Sequence, residues 1–360
     1  MLARAVGVLL ASVAVCAAAQ QPSPSAPPQT AAPAVNQELP PAQIRVDVNE
    51  VIVPVTVTDD KNKFVADLDA KDFKIFDEGR SQQIRFFSRE RAQPTVVGFL
   101  VDMSNATRLH WKTYQEAIKE LVWNLLDSLN EQFPGGTKRF SAYLISYGNE
   151  AELLVNTTSD SEPIATKLDK MKPGGGAALY DAIYLACTKR SLIQGEPYVP
   201  RRVLLIVGDG HDNSSQKSLE EVIEIAQRNL VTIYAMSTVA YGFSSDGDAN
   251  LLKLVQATGG RVVYPLQGLY SDVSGYLSTP SDEGNYAYKV GTGGYASEIA
   301  KGVFKAVAAI AGEVTTQYIL RYVPSIEGDP NSKPYRNIRV EVALPNVKVR
   351  ARQGYYPASP

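Results

Sequence analysis

Residues 96–104 read Val-Val-Gly-Phe-Leu-Val-Asp-Met-Ser, and residues 202–209 read Arg-Val-Leu-Leu-Ile-Val-Gly-Asp. Each is a short apolar run that ends in an aspartate. A strand with one face in water alternates polar and apolar residues, whereas one covered on both faces has no need to. Both runs therefore read as interior strands of a parallel sheet. Strand-like and helix-like stretches alternate around them, from about 94 to 313. Apolar residues at helical spacing (Trp111, Tyr114, Ala117, Ile118, Leu121, Leu125, Leu129) follow the first run. Strands are expected at 140–145, 152–155, 231–236 and 261–264, and helices at 163–171, 179–192, 218–229, 249–257 and 296–311. This alternation makes an α/β fold with a doubly wound, mostly parallel sheet. Segment 268–295 breaks the rhythm and reads as a long surface loop. Its Tyr270, Tyr276, Tyr286, Tyr288 and Tyr295 either face a partner or pack the loop onto its own domain.

The flanks have a different period. Val51, Val53, Val55 and Val57 lie on one face of a strand, and Pro54 places that strand at an edge or a bulge. Phe73, Ile75, Ile84 and Phe86 outline two more strands around the Glu78-Gly79 turn. Near the other end, Tyr318, Leu320 and Tyr322 alternate, as do Ile338, Val340 and Val342, then Val347 and Val349. Neither flank has enough strands to close a core. The expectation is one small antiparallel β-sandwich built from 44–92 and 315–357, with the α/β unit of 94–313 inserted in it.

Arg4, the apolar run 6–15 and Ala17-Ala18-Ala19 have the form of a signal peptide over 1–19, too short to span a bilayer. The chain is thus expected to be exported, to the periplasm or outside the cell, with no transmembrane segment. Cys16 invites a lipid anchor, but Val15 stands before it where a small residue is wanted. Residues 20–43, rich in Pro, Ala and Gln, read as a disordered linker. Cleavage after Ala19 leaves Cys187 as the one cysteine, which excludes an internal disulfide. Among Leu179, Ile183 and Ala186 it reads as a small buried apolar group. The 36 basic and 38 acidic residues of this 360-residue chain are interspersed, so no basic stripe marks a nucleic-acid partner.

In a doubly wound sheet, ligands bind beyond the carboxyl ends of the strands. Asp102 and Asp209 stand there, beside the glycine-rich loop 172–181, Lys-Pro-Gly-Gly-Gly-Ala-Ala-Leu-Tyr-Asp. The order F-L-V-D-M-S, G-G-G-x-A-L-Y-D-A-I, G-D-G-x-D-N, T-G-G-R-V resembles the von Willebrand factor type A domain. With V-x-V-x-V-x-D before it and R-x-G-Y-Y after it, the chain is similar to the exported bacterial group in which β segments flank that domain. The resemblance implies a non-enzymatic protein-binding module with a divalent-cation site, Mg²⁺ by its oxygen ligands, completed by an acidic group on a protein partner. By position, Asp102, Ser104 and Asp209 match that site. Ala106 and Ala177 replace a serine and a threonine ligand, and Thr107 comes one residue late.

One reading is a degenerate site that no longer holds metal. A second is a weak site in which Asp102, Ser104 and Asp209 keep a hydrated ion. A third joins His110 and His211 to the two aspartates as a Zn²⁺ site. The partner-binding candidates on this face are Asn105, Arg108, His110, His211 and Asp212. The rival classes are a hydrolase and a structural envelope spacer. No G-x-S-x-G elbow or phosphate-binding glycine motif supports catalysis.

Overall fold

The computed structural model describes residues 50–89, 94–108, 110–131, 138–188, 200–239, 246–265, 292–325 and 335–357, with the backbone alone over 292–299. The expected signal peptide and linker, residues 268–291 of the expected loop, and the end of the helix expected over 179–192 lie outside them. Four strands come first: β1 (Val51–Asp59), β2 (Phe73–Asp77), β3 (Arg80–Gln82) and β4 (Ile84–Ser88). The central region follows as β5 (Thr95–Asp102), α1 (Trp111–Trp123), β6 (Phe140–Tyr147), β7 (Ala151–Thr158), α2 (Glu162–Asp169) and α3 (Leu179–Thr188). It continues as β8 (Arg201–Gly208), α4 (Leu219–Arg228), β9 (Val231–Ser237), α5 (Asp246–Thr258), β10 (Val262–Val263) and α6 (Thr292–Thr315). The last strands are β11 (Tyr318–Tyr322), β12 (Arg336–Val342), β13 (Val347–Ala351) and β14 (Gly354–Tyr355).

The central sheet has the order β10-β9-β8-β5-β6-β7. It is parallel except for β7, which runs antiparallel to β6. Every residue of β5 is buried, as its unbroken apolar run requires. Val97, Phe99 and Val101 pack with Ile118 and Leu121 of α1 and Val307 and Ile310 of α6. Val96 and Leu100, on the other face, pack with Ile183 and Cys187 of α3, Val222 of α4 and Leu251 of α5. Helix α4 begins where its sequence directs. Ser218 accepts from the Glu221 backbone N–H, and the Glu221 side chain accepts from the Ser218 N–H, a reciprocal cap.

The flanks form two antiparallel sheets, β13-β1-β11-β4 and β14-β12-β2-β3, each with strands from both ends of the described chain. Val53, Val55 and Val57 meet Phe73, Ile75, Tyr318, Leu320, Tyr322, Ile338 and Tyr355 in one core. Asp77 of β2, fully buried, accepts from Tyr322 Oη at 2.9 Å, Tyr355 Oη at 3.0 Å and Arg336 Nε at 2.9 Å. One carboxylate of the first flank is thereby neutralised and hydrogen-bonded by three side chains of the second, which is what a buried charge needs.

Three expectations are corrected. Strand β1 is interior and pairs without a register shift, so Pro54 marks neither an edge nor a bulge. Its neighbours are staggered: β11 pairs with Val51–Val55 and β13 only with Val55–Asp59, so Pro54 meets a partner on one side alone and its missing N–H breaks no ladder. Two short strands, β3 and β14, were not anticipated. The helix expected from 296 starts at Thr292, inside the segment read as a loop.

The described residues from Glu50 to Pro357 belong to one compact unit. At its seam Glu313, at the end of α6, lies 2.7 Å from Arg261 Nε and 2.8 Å from Arg350 Nη2. A Cβ at Gly259 would stand 2.8 Å from the Arg352 nitrogen, so only a glycine lets the α5–β10 turn lie against the last strands.

Candidate functional site

The sheet order reverses between β5 and β8, and Asp102 and Asp209 flank that reversal at the carboxyl ends of the two strands. After β5 the chain is wound by its own side chains. The Ser104 N–H donates to Asp102 Oδ1 at 2.7 Å, and the Ala106 N–H donates to Ser104 Oγ at 3.2 Å. The Thr107 hydroxyl lies within 3.1 Å of the carbonyls of both Asp102 and Ser104. Such local bonds from short polar side chains make the turn and consume the groups that make them. Thr107 is buried with its hydroxyl turned to the backbone, so it does not stand in for the absent serine.

The glycine-rich loop docks on this turn. Gly174 donates to the Met103 carbonyl at 2.7 Å, and Asn105 donates to the Gly175 carbonyl at 3.2 Å. Asn149 Oδ1 takes the Gly176 N–H at 2.6 Å, and Asn213 Oδ1 takes the Ala177 N–H at 2.9 Å. Ala177 is 2% exposed, and its methyl belongs to the apolar cluster beneath the loop; Ala106 is exposed. Asp212 accepts from the Tyr180 N–H at 2.8 Å and from Ser215 Oγ at 2.6 Å, so its carboxylate holds the start of α3. Asp209 accepts from the His211 N–H at 3.0 Å and lies 3.1 Å from His211 Nδ1. Helix α5 presses on that turn: a Cβ at Gly247 would come within 2.6 Å of the Asp209 carbonyl and 2.8 Å of His211 Nδ1.

Asn105, Arg108 and His211 are exposed, with the His211 side chain 52% accessible; His110 is half-buried, and Asp102 is 0% exposed. Burial pushes the Asp102 carboxyl up to about 6; the charge of nearby Asp209 adds to the rise, against hydrogen bonds from the Ser104 backbone and side chain and from the Asp209 backbone. Asp102 Oδ2 is buried without a hydrogen-bond partner among the described residues. Among the described residues no three His, Cys, Asp or Glu side chains converge on a point where a metal ion would sit. The Zn²⁺ arrangement of Asp102, His110, Asp209 and His211 is therefore not assembled. The Mg²⁺ site that the resemblance implies differs here in its donors. Two ligand positions are methyl groups, and both Asp209 oxygens already face His211.

Residues 97–267 match the family model described as the von Willebrand factor type A domain. This region of the chain is a von Willebrand factor type A domain. Such domains are generally non-enzymatic modules of protein interaction or adhesion, and some bind a metal at their adhesion site. The structure is similar to that of BatB from Bacteroides thetaiotaomicron, with 14% identity over 57% of this chain and 99% of that one, and a TM-score of 0.37. It is similar to proximal thread matrix protein 1 of the mussel byssus with a zinc-occupied MIDAS motif, with 15% identity over 66% and 49% of the two chains and a TM-score of 0.40. It is also similar to the vWF domain of the type V pili tip protein Mfa5 from Porphyromonas gingivalis, with 18% identity over 33% and 39% and a TM-score of 0.28. None of the curated proteins compared with the chain matches it. No helix among the described residues is long and apolar enough to cross a membrane. The domain's crevice also uses Asn149 and Gly247, which the motifs did not single out, and Asn213, the last residue of G-D-G-x-D-N.

Proposed function

We propose that the chain is an exported, non-enzymatic protein-binding module that presents the upper face of its von Willebrand A domain. Its metal-ion-dependent adhesion site is degenerate, and the domain, spanning 94–313, is held by the sandwich of 44–92 and 315–357. The observation that carries this reading is the state of the donor groups: methyls at Ala106 and Ala177, and an Asp209 carboxylate committed to His211. With its carboxylates withdrawn or occupied, the face offers Asn105, Arg108, His110 and His211 to a protein ligand, while Asp212 serves as scaffold. The test is capture of an envelope protein by the full chain, with and without chelator, set beside the variant Arg108→Glu with His211→Asp. Capture should survive chelation and fail in the variant. Capture that needs a divalent cation, or that ignores the variant, would overturn the reading.

Ligand count gives a second expected result. Wild-type melting should not move with millimolar Mg²⁺, whereas Ala106→Ser with Ala177→Thr should respond. A serine at the exposed Ala106 costs little, but a hydroxyl at the buried Ala177 lacks a partner until a cation arrives, a penalty of about 1–3 kcal/mol. The double variant should thus melt below wild type in chelator and recover as Mg²⁺ is added, gaining about 2.7 kcal/mol at a hundredfold excess over Kd. A strong Mg²⁺ response in the wild type, abolished by Asp102→Ala, would show that the native site still works.

A further inference from the structure

Asp102 and Tyr147 are direct neighbours in the pairing of β5 with β6, so their side chains stand on the same face of the sheet. Gly208 ends β8 on the other side of β5, one residue beyond the Val101–Val207 pair. To touch Gly208, the Tyr147 ring has to cross over β5 at the level of Asp102. It does so. A methyl at Gly208 would overlap the Tyr147 hydroxyl, and would stand 2.9 Å from Asp102 Cβ and 3.3 Å from Asp102 Oδ2. The same strand lays Tyr143 over its own neighbour Gly98 four residues earlier, so β6 puts two tyrosine rings across the middle of the sheet.

The hydroxyl and Oδ2 thus both border the space above a glycine that leaves room for them, with no hydrogen bond joining them in the structure. Both atoms are shut off from water, and neither has a hydrogen-bond partner among the described residues. A buried hydroxyl and a buried carboxylate oxygen each cost free energy unpaired. They are also complementary, since a phenol can donate and an ionised carboxylate can only accept. Asp102 Oδ1 is already taken by the Ser104 N–H, and the Asp209 backbone and the Ser104 side chain also favour the ionised carboxylate, yet Oδ2 itself still lacks a well-formed hydrogen bond. We infer that Tyr147 is a positioning residue for the crevice: its hydroxyl donates to Asp102 Oδ2, directly or through a single water, and this contact rather than a cation holds the carboxylate in place.

The inference rests on the reading of the crevice as one that works without a cation, and the experiment separates the two. Unfolding by urea is measured at pH 7.5 in chelator for wild type, Tyr147→Phe, Asp102→Ala and the double variant. Removing the hydroxyl should raise the unfolding constant about tenfold when Asp102 is present and have little effect when it is absent. A tyrosine that is merely packed loses the same stability in both backgrounds, and that result would overturn the inference. Should Asp102→Ala not fold, the hydroxyl proton of Tyr147 decides. It should appear as a slowly exchanging downfield resonance that moves in Asp102→Asn, and its absence would overturn the inference. Repeating the wild-type measurement in Mg²⁺ reports on the cation reading alone.

Discussion

A chain ended after Thr316 should lose the structure of residues 50–89 while the central sheet persists. The reason is strand pairing. Strand β1 has β11 on one side and β13 on the other, and β4 has β11 alone, so the truncation leaves both without neighbours. Strand β2 loses β12 and keeps only the three-residue β3. A lone hairpin is marginal in water. The core also loses Tyr318, Leu320, Tyr322, Ile338 and Tyr355, all buried. At 1.5–3 kcal/mol for each large apolar side chain, that loss is on the order of 10 kcal/mol, more than a small sandwich has to spare. Asp77 would remain in the remnant as a carboxylate stripped of its three donors. Amide exchange resolved by residue is the measurement. Val53, Val55 and Val57 should exchange as in an unfolded chain, and β5 and β8 should stay protected. Persisting protection at Val53 and Val55 would mean that the first flank folds without the second.

Much of this architecture was legible because burial writes itself into local composition. The runs 96–101 and 202–207 have no polar face, and the valines of β1 alternate. The serine and glutamate of the α4 cap stand three residues apart. What escaped depends on partners distant in sequence. Pro54 reads as an edge signal, yet the stagger of β11 and β13 gives it an open side within an interior strand. Strands β3 and β14 are too short to show a period.

The crevice divides the same way. The motifs single out Asp102, Ser104 and Asp209, and the fold brings them to one end of the sheet. Asn149 and Asn213 fasten the glycine-rich loop through contacts spanning 27 and 36 positions, and no periodicity announces such contacts. Asp212 looks on paper like a free carboxylate beside a site. Only the fold shows it bound to the Tyr180 N–H. Tyr147 looks like the last residue of an apolar strand, and its place over Asp102 follows from register, which a single sequence does not display.

Asp102→Asn should stabilise the protein at neutral pH and flatten its pH dependence. The Asp102 carboxyl is raised from 3.8 to about 6, chiefly by burial. The folded state therefore binds this proton more tightly than the unfolded chain does. Stability from this group is fully present below about pH 4 and is lost as pH rises through 6, the reverse of a salt-bridged aspartate. Above pH 7 the ionised carboxylate costs about 3 kcal/mol, since each tenfold gain in proton affinity on folding is worth about 1.4 kcal/mol. An asparagine keeps the oxygen that receives the Ser104 N–H and removes the charge, while its amide hydrogens take up part of the gain in a site built for an acceptor. The expected net is about 1–3 kcal/mol at pH 7.5 in chelator, a rise in Tm of several degrees for a protein of this size. Other buried groups, Glu313 among them, also shape the pH profile, so the quantity to measure is the difference between variant and wild type from pH 4 to pH 8. That difference should vanish near pH 4 and grow until about pH 7. A difference that stays constant with pH would show that Asp102 is ionised throughout, held by a donor strong enough to cancel its burial.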